Sequence, residues 1–507
     1  MAMRIGGLAS GMDIDTMVSE LMKAERIPLD KLTQKKQTVE WQRDDYREMN
    51  KLLKELDDML FVNQNSIGRK ATILKKTVTS SDDSKVTAKA VNAQTNVSAT
   101  IDVLSLASSA SWKTSGGVSD YTPQDIELKF KVKDPGATED RYASVKLSAT
   151  DSIDQVVSKI NSSDLGVTAM KANIKVGEND YEETIIFTNN NTGSDAEISL
   201  DERDTNSATA TKTFMTNLGF TWTGVNGDIL GVDRPGQNAT VKVNGYEMEM
   251  SSNTFNINGI EYTAKGVTTS SVSVSSTTDV DSIMDSIVQF VNKYNEVIEK
   301  INGKMSEERY RDYQPLTDEQ KKEMDEKTIE LWEEKAKSGL LKNDSILSSS
   351  LNSMRMNFYS PVTNTSTIEG FKQLAEIGIT TSSNYLDKGK LIIDETKLRE
   401  KIQENPNAIY QLFNAEGTTE ETTGIAKRLR STIKGTVSNI EERAGNSLKV
   451  NNQFTLGKNL NQIQEQIDRF NDRLTQVEDR YWRQFTAMEK AIQQSNSQMS
   501  YLMQQFA

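Results

Sequence analysis

The stretch LGKNLNQIQEQIDRFNDRLTQVEDRYWRQFTAMEKAIQQSNSQMSYLMQQF, residues 456–506, decides the fold. Its apolar side chains fall at Leu456, Leu460, Ile463, Ile467, Phe470, Leu474, Val477, Tyr481, Phe485, Met488, Ile492, Met499, Leu502 and Phe506. Gaps of three and four residues alternate, which keeps one face of an α-helix apolar in the heptad manner of a coiled coil. Two successive steps of four, Val477 to Tyr481 to Phe485, read as a stutter, and Ser495 takes one polar turn. No proline follows Pro406 and no glycine follows Gly457, so nothing interrupts the run.

A helix of this kind is not stable by itself. Ordering each residue costs about 1–2 kcal/mol of backbone entropy, and a Leu-sized side chain returns about 1.5–3 kcal/mol only when it is buried. The seam must meet another helix of the same chain or another molecule, and the spacing alone leaves both open. The other end of the chain offers a partner. Ser10-Gly11-Met12-Asp13 has capping-box spacing and places a helix start at Ser10, followed by an apolar stripe of Ile14, Val18, Leu21 and Met22. Pro28 predicts a kink or break. Helical spacing resumes at Leu29, and Val39, Tyr46, Met49, Leu53, Leu56 and Leu60 mark a second seam. Laying the two end helices together satisfies both.

Between them the character changes near Ser66-Ile67-Gly68. From about Thr77 to Ser276 the chain is rich in Val, Thr, Ser, Asn and Gly with period-two alternation, as at Ile101 and Val103 or at Ile126, Leu128, Phe130 and Val132. Asp134-Pro135-Gly136 predicts a turn, Asp151-Ser152-Ile153 a short helix start, and Val167–Val176 and Thr184–Thr188 predict strands. Val241–Met248 and Phe255–Tyr262 each place Asn-Gly between alternating apolar residues, the signal of a type I′ hairpin. Helices return at Asp279, with a stripe of Ile283, Ile287, Val291, Tyr294, Ile298 and Ile301 ended by Gly303. Thr317-Asp318-Glu319-Gln320 is a second capping box, expected to open one charged helix through Trp332. Further helices are expected after Asp344, around Leu398–Phe413 with a junction at Pro406, and at Ile425–Ile433. Ile377–Thr381 and Leu391–Ile393 should pair as strands across Lys388-Gly389-Lys390.

The expected fold is therefore an elongated α+β multidomain chain with antiparallel β domains inserted between two helical arms. Residues 1–42 and 450–507 would form a terminal coiled-coil leg, and 43–76 with 277–449 a helical leg domain carrying a small strand pair. Residues 77–113 with 233–276 would form a β head domain, and 114–232 an inserted outer α+β head domain.

Composition narrows the chemistry. A formal net charge of −13 disfavours nucleic acid or an anionic membrane as partner. No apolar run is long enough to span a bilayer, and the start carries one positive charge before Asp13 and Asp15, unlike a cleavable secretory signal. With neither Cys nor His, thiolate chemistry, disulfides and imidazole catalysis or ligation are unavailable. No P-loop, dinucleotide fingerprint or nucleophile elbow is present. Gly224-Val225-Asn226-Gly227 lacks the strand-then-helix setting of a phosphate cradle, and Asp201-Glu202-Arg203-Asp204 lacks calcium-loop spacing. That cluster and Asp281 with Asp285 read as solvated surface. No catalytic, cofactor-binding or metal-binding residue is expected, and the chain reads as a non-enzyme.

The run Gly7-Leu8-Ala9-Ser10-Gly11-Met12-Asp13-Ile14-Asp15, followed by Leu21-Met22-Lys23-Ala24-Glu25 and Pro28-Leu29, closely resembles the N-terminal signature of the flagellar filament cap family, FliD or hook-associated protein 2. Leu341-Lys342-Asn343-Asp344-Ser345, Leu374-Ala375-Glu376-Ile377-Gly378-Ile379 with Gly389-Lys390-Leu391, and Gln484-Phe485-Thr486-Ala487-Met488-Glu489 are similar to later family elements. The resemblance is weakest between about Thr114 and Asp233. It implies a secreted, extracellular structural protein at the distal tip of the bacterial flagellum, serving flagellin assembly and motility. It also implies export through the flagellar type III apparatus with a dedicated chaperone, and an annular homo-oligomer, commonly a pentamer, that promotes flagellin insertion. No cofactor is implied. A surface adhesin for host mucin or glycans acting in cell adhesion through the β domains is an alternative, as is a hook–filament junction component; a surface hydrolase comes last. The entropy argument further predicts that residues 1–36 and the last fifty or so are mobile in the monomer and ordered on assembly.

Overall fold

The computed structural model describes residues 11–91, 96–116, 118, 121–178, 180–364, 366–384 and 387–506. It is α+β, in two compact units: one comprises residues up to Ile73 together with those from Val280 onward, the other Leu74–Asp279.

In the strand unit, Lys76–Ser80, Val272–Thr278, Ser98–Ser105, Ala239–Val243 and Tyr246–Met250 lie side by side as one antiparallel sheet. Thr254–Ile257, Ile260–Ala264 and Val86–Ala90 make a second. The alternation read from the sequence sends Ile101, Val103, Val241 and Val274 from the first sheet, and Val86, Phe255 and Tyr262 from the second, into one shared core. Both Asn-Gly pairs sit in two-residue turns with positive φ, at +53° and +85° for Asn244 and Gly245 and +53° and +78° for Asn258 and Gly259. Those angles match a type I′ turn to the right-handed twist of its strands, and the registers close at Val243 with Tyr246 and at Ile257 with Ile260.

Between the neighbouring strands Ser98–Ser105 and Ala239–Val243 the chain leaves to build a second core. Strands Ile126–Lys133, Arg141–Leu147 and Glu197–Leu200 belong to one sheet, Ser111–Lys113, Val167–Lys175 and Tyr181–Asn189 to another. Helices Ile153–Asn161 and Thr205–Asn217 contribute Val156, Ile160, Phe214 and Met215 to that core, with Leu128, Phe130, Trp112 and Phe187 from the sheets. Ser152 caps the first of these helices in a reciprocal capping box with Gln155.

The helical unit has one long core, from Val39 in the N-terminal helix Ile14–Phe61 to Ile463 in the terminal helix Thr455–Phe506. The stripe Ile283–Ile301 is buried in it, and aromatic edges meet faces where Tyr294 approaches Phe358 at 4.8 Å and Phe290 approaches Phe413 at 6.2 Å. Pro406 opens the helix Pro406–Asn414 at its first position, where its missing N–H costs nothing. Strands Ile379–Thr381 and Leu391–Ile393 pair antiparallel.

Several local expectations are corrected. The first helix begins at Ile14 with Asp13 as its cap rather than at Ser10, which lies outside the described residues; Gly11 takes φ +70° just ahead of it. Pro28 does not end that helix, which is continuous from Ile14 to Phe61. It lies on the exposed face, so the carbonyl freed at Ala24 can meet water, while Met22 before it and Val39 after it are both buried. Gly303 does not end its helix, which runs on to Ser306 because Lys304 pairs with Asp45 at 3.0 Å and Met305 packs on the core. The charged helix expected through Trp332 is two, Asp318–Lys322 and Glu326–Lys337, because Asp325 accepts from the Thr328 amide and starts a new N-terminus. Ile377 ends a short 3-10 turn, Leu374–Ile377, and Gly378 at φ +90° turns the chain into the strand that follows.

Candidate assembly interface

The two end helices lie antiparallel. Tyr481 Oη donates to Glu25 Oε1 at 3.0 Å, Lys36 Nζ donates to Gln464 Oε1 at 2.8 Å, and the Arg47 guanidinium lies 5.5 Å from the Phe454 ring centre. Numbers rise along one helix as they fall along the other. Near the start of this pair Ile14, Val18 and Met22 bury themselves against Leu474 and Val477, with Leu29, Phe470, Tyr481, Trp482 and Phe485 half-buried around them. The signature residues now have physical roles: Asp13 accepts from the Thr16 amide at 3.0 Å and from its hydroxyl at 2.6 Å, and those bonds hold its carboxyl below the usual aspartate range. Gly7 to Ser10 lie outside the described residues.

Trp482 is the member of this cluster that heptad counting missed. It stands beside Tyr481 just where two steps of four broaden the stripe, so an aromatic next to a stutter was the available signal. At about 1.5 Å rise per residue, the same register puts Ile14 opposite roughly residue 490. Beyond that point Met499, Leu502 and Met503 are exposed, at 57%, 49% and 68%. Along the seam Phe485, Met488 and Ile492 are half-buried, whereas Met499 and Leu502 are exposed.

Elsewhere, Gly224–Gly227 is the turn between strands Trp222–Thr223 and Ile229–Leu230, closed by the Gly227 amide on the Gly224 carbonyl. Asp281 and Asp285 are exposed, and Asp281 pairs with Arg399 at 2.6 Å. Asp201 is not solvated as expected. Only 4% exposed, it accepts two bonds from Arg203 at 2.8 and 2.7 Å, and Arg203 in turn lies 3.4 Å from the Tyr142 ring centre. Arg203 holds the Asp201 carboxyl below its ordinary value, a structural fork rather than a metal loop. Asp204 caps the helix that follows. Among the described residues no group of three or more carboxylates is placed to hold a metal ion, and no helix is long and apolar enough to cross a membrane.

Residues 236–497, more than half of the chain, match the family model described as flagellar hook-associated protein 2 C-terminus, and residues 10–110 match that of its N-terminus. The chain belongs to the flagellar hook-associated protein 2 (FliD) family. Residues 127–175 match a flagellin hook IN motif. Flagellar hook-associated protein 2 of Halalkalibacterium halodurans is 33% identical over 99% of this chain and 100% of its own length. That of Thermotoga maritima is 25% identical over 99% of this chain and 95% of its own. In fold the chain is similar to the D1-D2-D3 domains of the flagellar cap protein FliD from Escherichia coli, at a TM-score of 0.54 and 21% identity, over 79% of this chain and 96% of that one. The filament cap role of the FliD family is structural, and it comes to this chain with membership.

Proposed function

We propose that this chain is a non-enzymatic assembly factor that closes the distal tip of the flagellar filament and promotes flagellin insertion, working as an annular homo-oligomer, a pentamer. The observation that carries the proposal is the terminal helix. It runs on past the point opposite Ile14 and holds Met499, Leu502 and Met503 on its surface, apolar area that suits burial against another chain. The flagellin hook IN match at 127–175 supports flagellin as that wider partner. In this reading the chain is exported unfolded through the type III apparatus, with a chaperone holding it until release, and acts outside the cell. The end helices open and close in the dilute monomer and become fixed on assembly. Two cores within the strand unit, one spanning Val86–Val274 and one spanning Ala110–Leu230, support a division into an inner β head and an inserted outer head.

The test is a truncation after Lys490. Removing the whole seam from Leu456 would strip Leu456, Leu460 and Ile463 from the main core and confound folding with assembly. Removing residues 491–507 leaves every buried member of both clusters in place. The truncated chain should lose only the helical signal of the residues removed, keep its melting temperature, form no rings in electron micrographs, and fail to restore swimming to a cap-less strain. Rings together with restored motility would show the proposal wrong.

A further inference from the structure

The N-terminal helix carries a second apolar stripe that the described residues leave exposed. Met17, Leu21, Ala24 and Pro28 follow one another at steps of four, three and four residues, and all of them face solvent. At 3.6 residues per turn they lie about a quarter turn from Ile14, Val18 and Met22, the side buried with Leu474 and Val477. Together the two stripes make an apolar face close to half the helix wide. A pair of helices needs only a narrower seam, so the excess width suits a third helix.

The terminal helix has the matching stripe. Met499, Leu502 and Met503 are exposed on the line that continues Leu474, Val477 and Tyr481. Residues 491–506 hold no Asp, Glu, Lys or Arg, whereas Thr455–Lys490 is charged throughout, so burying this tail strips water from no charge of its own. It cannot reach the stripe of its own chain. Tyr481 stands opposite Glu25, and Leu502 lies about 30 Å further along the same unbroken helix, at 1.5 Å per residue. Copies standing side by side at one level, as around a ring, keep that offset. Two copies meeting end to end remove it, because a two-fold axis across the helix pair, near its Ile14 end, sends each tail back along the other's N-terminal helix.

We propose that the free chain forms this two-fold dimer, each terminal helix from about residue 493 lying parallel to the N-terminal helix of the second copy, on its Met17–Pro28 stripe. Each end of the dimer is then a three-helix bundle, and the reciprocal contact closes the association at two copies. The dimer covers the apolar tails before assembly takes them up. It is a state of the free chain and does not depend on the cap reading.

The test uses the full chain, whose lack of cysteine makes disulfide trapping specific. Sedimentation equilibrium should find a monomer–dimer equilibrium that added salt hardly moves, since no ion pair holds it. Leu21→Gln changes an exposed side chain for another good helix former; it should weaken the dimer at least about tenfold and leave the melting temperature of the dilute monomer unchanged. In mixed samples under mild oxidant, Leu21→Cys should cross-link to Leu502→Cys, and Lys23→Cys, turned well away from the stripe, should not. Leu502→Cys alone should not cross-link to itself, because the two-fold axis sets the two Leu502 positions about 30 Å apart. A wild type that stays monomeric at every concentration, a Leu502→Cys that pairs with itself and not with Leu21→Cys, or a Leu21→Gln chain that dimerises as wild type does would each overturn the dimer. Rings and restored motility alongside any of these would leave the cap reading standing.

Discussion

Leu474→Ala tests the pairing of the chain ends directly. Leu474 is 7% exposed and packs in a cluster whose other buried members are Ile14, Val18, Met22 and Val477. Leu-to-Ala changes in a closed core cost about 2–5 kcal/mol. Here the rim is half-buried Leu29, Phe470 and Tyr481, which can settle into the space, so the lower end applies, about 2 kcal/mol. The main core is separate, so the loss should appear as easier local opening and not as global unfolding. At about 1.4 kcal/mol per tenfold, native-state hydrogen exchange should accelerate roughly 30-fold. It should do so at amides of Phe470–Phe485 and, together with them, of Ile14–Met22, while amides at Tyr294 and Ile298 keep their rates. Acceleration confined to the terminal helix, with Ile14–Met22 unmoved, would refute the antiparallel pairing.

Pro28→Ala restores a helical N–H on an exposed face and removes a ring from the interior of the helix, so it should stabilise the N-terminal helix by up to about 3 kcal/mol; exchange rates at residues 24–32 read it. Two glycines separate backbone strain from steric strain. Gly245→Ala, at φ +85° with open space around its Cβ direction, should cost only about 1 kcal/mol. Gly445→Ala, at φ +67° with the Phe454 ring 2.5 Å from the new carbon, should cost clearly more, and urea midpoints of both variants rank them. Asp201 has a depressed folded pKa, so its contribution is fully present above the ordinary aspartate value of 3.8 and is lost as pH falls through the lower folded value. The urea midpoint of wild type should therefore drop more steeply in that acid window than that of Asp201→Asn, and parallel acid limbs would exclude the linkage.

The sequence by itself determined whatever rests on local signals. The period of three and four along Leu456–Phe485, the period of two through Ile126–Val132, the Asn-Gly turns at 244 and 258, the helix start at Asp151-Ser152-Ile153 and the capping box at Thr317 are each written within a short stretch of chain, and each is found in the structure. The family signature was legible in the same way. Tertiary structure decided wherever packing or an ion pair opposed a local preference. A proline or glycine penalty of about 1–3 kcal/mol is outweighed when buried side chains on both sides of Pro28, or the Lys304 ion pair beyond Gly303, keep the helix continuous. Register between the end helices sums small contacts over many turns, and successive heptads differ too little for the one-dimensional pattern to select it. Charges such as Asp201, Arg203 and Arg428 look alike in a sequence. Only the packed chain distinguishes a carboxylate clasped by its neighbour from a guanidinium such as that of Arg428, which bonds the Ser360 carbonyl through Nη2 while Nε and Nη1 are buried without a hydrogen-bond partner.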